Sequence, residues 1–290
     1  MEFQFMSPEQ IAQLKEEISS TKNSNPRVIR FEENQIGRDF VIGDVHGAFD
    51  SVWQAMVAAG FHRGFDRLFS VGDLIDRGPG SARAAQFLSQ PYVHAIQGNH
   101  EANLLELYRD YEDPEQGLAT LARIDFNGMG WLANVSAAER FEVVQAIARL
   151  PLAIEVQTPR GPVGLIHAEV PSHMDWPTFV AALEGGDPEI EDSCLTGRER
   201  IKSGDTSGVP GIGRIFAGHS TSFQGAVQLG NVYMIDTGAV FAEIKGKPGA
   251  AMTMADLQFK TASLSKPAVH QGVQLLKENT LEPFGSYAMI

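Results

Sequence analysis

Gly72-Asp-Leu-Ile-Asp-Arg-Gly78 is the stretch from which this chain is best read. Leu68, Phe69 and Val71 ahead of it read as a short buried strand, so Asp73 emerges at the strand's carboxyl end, where a polar group meets solvent or an ion. The same construction stands on either side. Phe40-Val41-Ile42 runs into Gly43-Asp44-Val45-His46-Gly47, and Tyr92-Val93-His94-Ala95-Ile96 runs into Gly98-Asn99-His100-Glu101. Three strand-to-loop junctions thus carry Asp, His, Asp, Asn and His, and together they read as one dinuclear metal site.

Helical patterns fill the gaps between these strands, and the steps from Asp44 to Asp73 to Asn99 are each about one βαβ unit of ~30 residues. Repeated βαβ units imply parallel strands, so all three loops fall along one sheet edge, where open α/β sheets place ligands. Residues 110–150 read as an inserted helical cap, with a capping box at Ser136-Ala-Ala-Glu139. Beyond Pro151 the chain turns to antiparallel pairing around the turn at 159–162, and strands are expected at 215–217, 226–229, 232–235 and 240–244. Residues 1–36 read as an extension with one helix, opened by Ser7-Pro8-Glu9-Gln10 and followed by a linker at 23–26. Residues 37–265 form the catalytic domain and 266–290 a weakly patterned tail. The expected class is α/β (α+β by some schemes).

At 290 residues the chain has ample material for a core, and its 43% hydrophobic and 20% charged content is that of a globular protein. No run is long enough for a membrane helix and no secretory signal opens the chain, which predicts a cytoplasmic enzyme with no membrane partner. A net charge of −13 argues against nucleic acid as a partner. A phosphate-bearing substrate then needs local positive charge, from metal ions and a few placed arginines. The single cysteine, Cys194, excludes an internal disulfide and reads as incidental.

Two more histidines follow apolar strands: His167 after Val163-Gly164-Leu165-Ile166, and His219 after Ile215-Phe216-Ala217-Gly218. A pair of divalent ions about 3.5–4 Å apart needs a carboxylate that reaches both, with oxygen and imidazole ligands around each. Asp73 is the bridging candidate. Asp44 and His46 complete one shell, and Asn99, His167 and His219 the other. Asn99 gives an oxygen without adding charge, so the site stays cationic enough for phosphate, which it also helps to bind. A hydroxide held between the ions is the expected nucleophile. His100 follows a ligand directly and is left free as the general acid, with Asp76 to orient it. Arg77, in the same loop, is placed to clamp phosphate oxygens with its planar fork. Singly, each of these is explained by turn chemistry, since Gly-Asp and Gly-Asn are common loop dipeptides; three such motifs at βαβ spacing are not. Glu101 reads as a helix-start cap, and Trp131 and Trp176 read as packing.

These motifs resemble those of the metal-dependent serine/threonine phosphoprotein phosphatases, and His167-Ala-Glu-Val-Pro171 and Asp236-Thr-Gly-Ala-Val-Phe241 resemble the small bacterial and bacteriophage-lambda-type members with a calcineurin-like metallophosphoesterase fold. The resemblance covers about residues 37–244. It implies a two-sheet β-sandwich flanked by helices, two divalent ions that are commonly manganese, with iron or zinc as alternatives, and hydrolysis of phosphate monoesters by direct attack of metal-bound water. It also implies a second phosphate-binding arginine. Arg198 in Leu195-Thr-Gly-Arg-Glu-Arg-Ile201 matches that position, although Thr196-Gly197 stands where the phage-type pattern has Trp-Asn; Arg200 is the alternative.

The expected substrates are phosphoserine and phosphothreonine in proteins, with phosphotyrosine and small aryl phosphates as further monoesters. A symmetrical dinucleoside tetraphosphate hydrolase is the competing enzyme, since Arg77-Gly-Pro-Gly-Ser81 resembles that group; Asp76 and Glu101 match the protein phosphatases better. A non-catalytic binder of phosphorylated ligands is the alternative of another class.

Overall fold

The computed structural model describes residues 3–258, 269–270 and 272–276. Ser7 caps helix α1 (Pro8–Ser24), its hydroxyl accepting from Gln10 N while the Gln10 side chain accepts from Ser7 N. The helix runs to Ser24, and Leu14 and Ile18 are buried in the main core. The 23–26 stretch is followed by a strand that the pattern did not predict, β1 (Val28–Phe31). The extension is therefore built into the fold by both its helix and its strand.

Two successive βαβ units follow: β2 (Asp39–Ile42), α2 (Phe49–Ala59), β3 (Arg67–Ser70), a 3-10 turn at Pro79–Arg83 with α3 (Ala84–Leu88), and β4 (Val93–Ala95). The three strands are parallel neighbours, as their spacing predicts. Every residue of β2 is buried, with Phe40 and Ile42 towards the helical side and Val41 towards the second sheet, the two-residue alternation of a strand covered on both faces.

Helix α4 (Asn99–Asp110) leads into the stretch read as a cap, which is helical: α5 (Pro114–Arg123), an irregular 3-10 stretch Phe126–Asn134, and α6 (Ala137–Ile147) with Ser136 and Glu139 in a capping box. A buried ion pair ties the cap together. Arg140 Nη2 donates to Glu115 Oε2 at 2.5 Å, and the same carboxylate accepts from Tyr108 Oη at 2.6 Å and from Met6 N at 2.9 Å.

The second half holds β5 (Ala153–Val156) and β6 (Val163–Ile166), antiparallel as predicted; α7 (Trp176–Gly185), α8 (Pro188–Thr196), α9 (Glu199–Ser203); and β7 (Arg214–Ala217), β8 (Val227–Leu229) and β9 (Val232–Met234). The strand expected at 240–244 is instead α10 (Ala239–Lys245), which starts at Gly238 and stops at Gly246, both left-handed. Its short apolar run suits either structure, and flanking glycines decide for the helix. Unpredicted β10 (Met252–Asp256) pairs with β2, and β11 (Val269–His270) and β12 (Val273–Leu276) continue that sheet. The described part of the 266–290 segment is thus sheet; its other residues lie outside the described ones.

Two six-stranded mixed sheets result, in the orders β1-β5-β6-β7-β9-β8 and β11-β12-β10-β2-β3-β4. Val41, Phe69, Val71 and Ala255 of one meet Ile154, Leu165, Phe216 and Tyr233 of the other in the sandwich core, and helices cover the outer faces. This is the expected two-sheet sandwich with helical flanks. No helix among the described residues is long and apolar enough to cross a membrane.

Candidate metal centre

Parallel pairing of β2, β3 and β4 sends their loops off the same edge, and β6 and β7, parallel neighbours in the facing sheet, deliver His167 and His219 to it. Asp73 lies at the middle. Its Oδ2 is 3.4 Å from His46 Nε2, while its Oδ1 is 3.4 Å from His167 Nε2. One carboxylate therefore joins two clusters of buried or half-buried donor groups, His46–Asp73–His100 and Asp73–His167–His219. Asn99 Oδ1 lies 3.0 Å from His167 Nε2 and 2.8 Å from His219 Nδ1. Both oxygens of Asp44 accept the backbone N–H of His219, at 3.1 and 3.0 Å.

The imidazoles are aimed by backbone carbonyls. His46 Nδ1 is 2.9 Å from Ile75 O and His167 Nδ1 is 2.7 Å from Val71 O. A carbonyl only accepts, so Nδ1 carries a proton in both rings and each Nε2 faces Asp73. Burial holds His46 neutral down to about 3, with Arg77 and His100 aiding it against Asp73; burial, His167 and Arg198 bring His219 to about 3 as well. Burial, then Asp236 and Asp73, push the Asp44 carboxyl well above the usual range. Burial also opposes ionisation of Asp73, but His167, His100 and His46 outweigh it and hold that carboxyl below its ordinary value.

Three buried carboxylates, Asp44, Asp73 and Asp236, thus crowd together beside two imidazoles, His46 and His219, that burial keeps neutral. That imbalance is what divalent cations relieve, and oxygen with imidazole donors and no thiolate suits manganese, iron or zinc. The donor groups that meet at Asp73 fit divalent cations.

The backbone is bent to make this convergence. Seven non-glycine residues have positive φ among the described residues, and five of them are His46, Asp73, Asp76, Arg77 and His219. Close approach also dictates two glycines. A Cβ on Gly98 would lie 2.2 Å from Asp73 Oδ1, and one on Gly218 would lie 1.9 Å from Asp44 Oδ1. Glu101 secures the central loop, accepting from Asp73 N at 2.9 Å, Leu74 N at 2.8 Å and Gly98 N at 2.8 Å. Its spacing from Gly98 marked it as a cap; its reach to residues 73–75 had no local signal.

Beside the ligands, His100 Nδ1 meets Asp76 Oδ2 at 2.7 Å, and the other oxygen of Asp76 accepts from Trp131 Nε1 at 2.7 Å. Burial disfavours the His100 imidazolium, but Asp73 and Asp76 outweigh it and raise the ring above its ordinary value. Arg77 spans the pair of rings, Nη1 at 2.7 Å from His46 Nε2 and Nη2 at 3.1 Å from His100 Nε2. Arg198 Nε donates to His219 Nε2 at 3.1 Å and its Nη2 to His219 O at 3.2 Å. Arg200 is buried and bonded to Asp205 at 2.7 Å, so Arg198 is the arginine that reaches the centre. All ten residues singled out in the sequence, Asp44, His46, Asp73, Asp76, Arg77, Asn99, His100, His167, Arg198 and His219, stand in one web of contacts. Trp131, read from the sequence as packing, joins them through Asp76, and Asp236, to which no role was assigned, lies buried with its charge acting on Asp44.

The family model for calcineurin-like phosphoesterases matches residues 40–189. Serine/threonine-protein phosphatase 1 of Salmonella typhimurium is 30% identical over 233 residues, covering 79% of this chain and 96% of that protein. Serine/threonine-protein phosphatase 2 of Escherichia coli is 27% identical over 206 residues, 69% of this chain and 87% of that one. A symmetrical bis(5'-nucleosyl)-tetraphosphatase of Serratia proteamaculans is 27% identical over 172 residues, 56% and 60% of the two chains. The chain belongs to the calcineurin-like phosphoesterase family and is a metal-dependent phosphoesterase.

Proposed function

We propose that this calcineurin-like phosphoesterase is a phosphomonoesterase acting on phosphoserine and phosphothreonine in proteins, and on phosphotyrosine and small aryl phosphates where they reach the centre. The observation that carries this reading is the Asp76–His100 pair, closed at 2.7 Å and flanked by Arg77, at a site whose family relatives include serine/threonine phosphatases matched over 96% and 87% of their lengths. A poor leaving group such as an alkoxide needs a proton as its bond breaks, and a buried imidazolium held by two carboxylates supplies it.

Asp44, His46, Asp73, Asn99, His167 and His219 would hold two divalent ions, with manganese the first choice. Such ions supply an activated water at neutral pH and neutralise charge on the phosphoryl oxygens. Arg77 and Arg198 approach from opposite sides, one against His46 and His100 and the other against His219, and turn their guanidinium forks to the phosphate together with the Asn99 amide. With hydroxide oxygen forming the new bond to phosphorus and the ester P–O bond breaking, His100 Nε2 gives its proton to the departing oxygen, which leaves as the alcohol. Asp76 accepts from Nδ1 throughout and keeps Nε2 directed at the centre.

The tetraphosphatase relative supports a second reading, hydrolysis of a dinucleoside tetraphosphate, together with Arg77-Gly-Pro-Gly-Ser81. Incubation of the purified protein with manganese and, in parallel, a phosphothreonine peptide or diadenosine tetraphosphate decides between them. Release of phosphate from the peptide is the expected result. Exclusive cleavage of the dinucleotide reverses the assignment.

A further inference from the structure

We infer that Trp131 and Gly128, both in the cap stretch between α5 and α6, are positioning residues for the proton donor and the phosphate clamp. This rests on the reading of His100 as general acid and adds to it the element that holds the acid in place.

Two contacts carry the inference. Trp131 Nε1 donates to Asp76 Oδ1 at 2.7 Å, and the indole is 5% exposed. An indole N–H can only donate, so it fixes Asp76 as an acceptor on that oxygen and leaves Oδ2 to accept from His100 Nδ1 at 2.7 Å. Trp131, Asp76 and His100 thus form one line of donors and acceptors with a single consistent set of proton positions. The second contact is Gly128 O, which accepts from Arg77 N at 2.8 Å.

The backbone at both ends of these contacts is unusual. Asp76 and Arg77 have φ of 68° and 65°, while Asp125, Asn127 and Gly128 have 50°, 51° and 88°. Local hydrogen bonds shape each loop, and the Arg77 N–H donating to Gly128 O locks the two together at these positions, as expected of strain that surrounding contacts hold in place. Side-chain volume at Gly128 is excluded, because a Cβ there would lie 2.4 Å from Arg77 N and 2.6 Å from Arg77 Cα. Met129 and Leu132 anchor the stretch in the main core beside Trp131.

Trp131→Phe keeps an aromatic side chain and removes the N–H that donates to Asp76 Oδ1. With Asp76 free to rotate, His100 spends less time with Nε2 aimed at the leaving oxygen, so the loss scales with how much the leaving group needs a proton. In the manganese-loaded enzyme, kcat for phenyl phosphate should fall about 10- to 100-fold, and for p-nitrophenyl phosphate less than about threefold. KM should move by less than about twofold for either substrate. His100→Asn should show the same contrast more strongly, and adding Trp131→Phe to it should cost nothing further. Melting temperature reports any purely structural damage.

Equal losses on both substrates in Trp131→Phe, with the contrast intact in His100→Asn, overturn the inference alone. So does a further loss in the double variant. Equal losses in His100→Asn overturn the acid assignment and this inference with it. Gly128→Ala is the second arm: it should raise KM for both esters by displacing Arg77, and an unchanged KM removes Gly128 from the assignment.

Discussion

Glu101 reaches from the first turn of α4 to the loop after β3 and accepts the backbone N–H of Asp73 at 2.9 Å. With Leu74, Ile75 and Gly98 also donating to it, one carboxylate collects the loose amides around the bridging ligand. Glu101→Gln keeps the shape but presents an NH2 group to donors that need an acceptor. Metal affinity should fall about 10- to 100-fold, the usual effect of losing an outer support. Titration with manganese checks it, and an unchanged dissociation constant removes Glu101 from the support of the centre.

Asp73 offers a different oxygen to each ligand group, whereas His100 bonds Asp76 through Nδ1. Asp73→Asn should therefore lose both ions and activity together. His100→Asn should retain two ions per chain by elemental analysis and lose turnover by about 10²–10⁴-fold on phosphothreonine substrates. Loss of one ion in the His100 variant would make His100 a ligand instead.

Much of this centre is legible from sequence because the chemistry constrains residue types right beside strand ends. Asp44, His46, Asp73, Asn99, His167 and His219 each follow an apolar run by a residue or a few, and the β-α-β spacing of the first four fixes the shared edge. What stays hidden depends on distant partners. β1 and β12 are four-residue strands whose hydrogen bonds come from β5 and β10, far away in sequence. Residues 240–244 read as strand because a short apolar run has no length to show a helical period. Trp131 lies 55 residues from the carboxylate it holds, and nothing near it in sequence distinguishes it from a packing tryptophan.

Glu115 and Arg140 form a pair with almost no exposure, completed by Tyr108 and the backbone of Met6. Glu115→Gln leaves the arginine charge buried without a counter-charge, and should cost about 3–5 kcal/mol in urea unfolding. Replacing both partners, as Glu115→Leu with Arg140→Met, should cost less than the single change, since neither charge is then stranded. A double variant weaker than the single one would contradict this.

His94 in β4 packs against Phe31 with ring centroids 4.5 Å apart and against Phe69 at 5.3 Å, away from the metal ligands. Burial, with Arg67 adding to it, brings its pKa down from 6.5 to about 4. The unfolded chain then binds a proton below about 6.5 that the folded chain refuses until about 4, so stability rises with pH across that window and is lost as pH falls through it. Above 6.5 both states are neutral and the ring contributes no pH dependence. His94→Phe fills the same space without a titrating group. In chelator, which removes the separate pH dependence of metal binding, the variant should gain on the parent by about 1–2 kcal/mol between pH 7.5 and 4.5, a figure reduced for the ring's partial exposure. Parallel stability profiles for the two proteins would place this proton on another histidine.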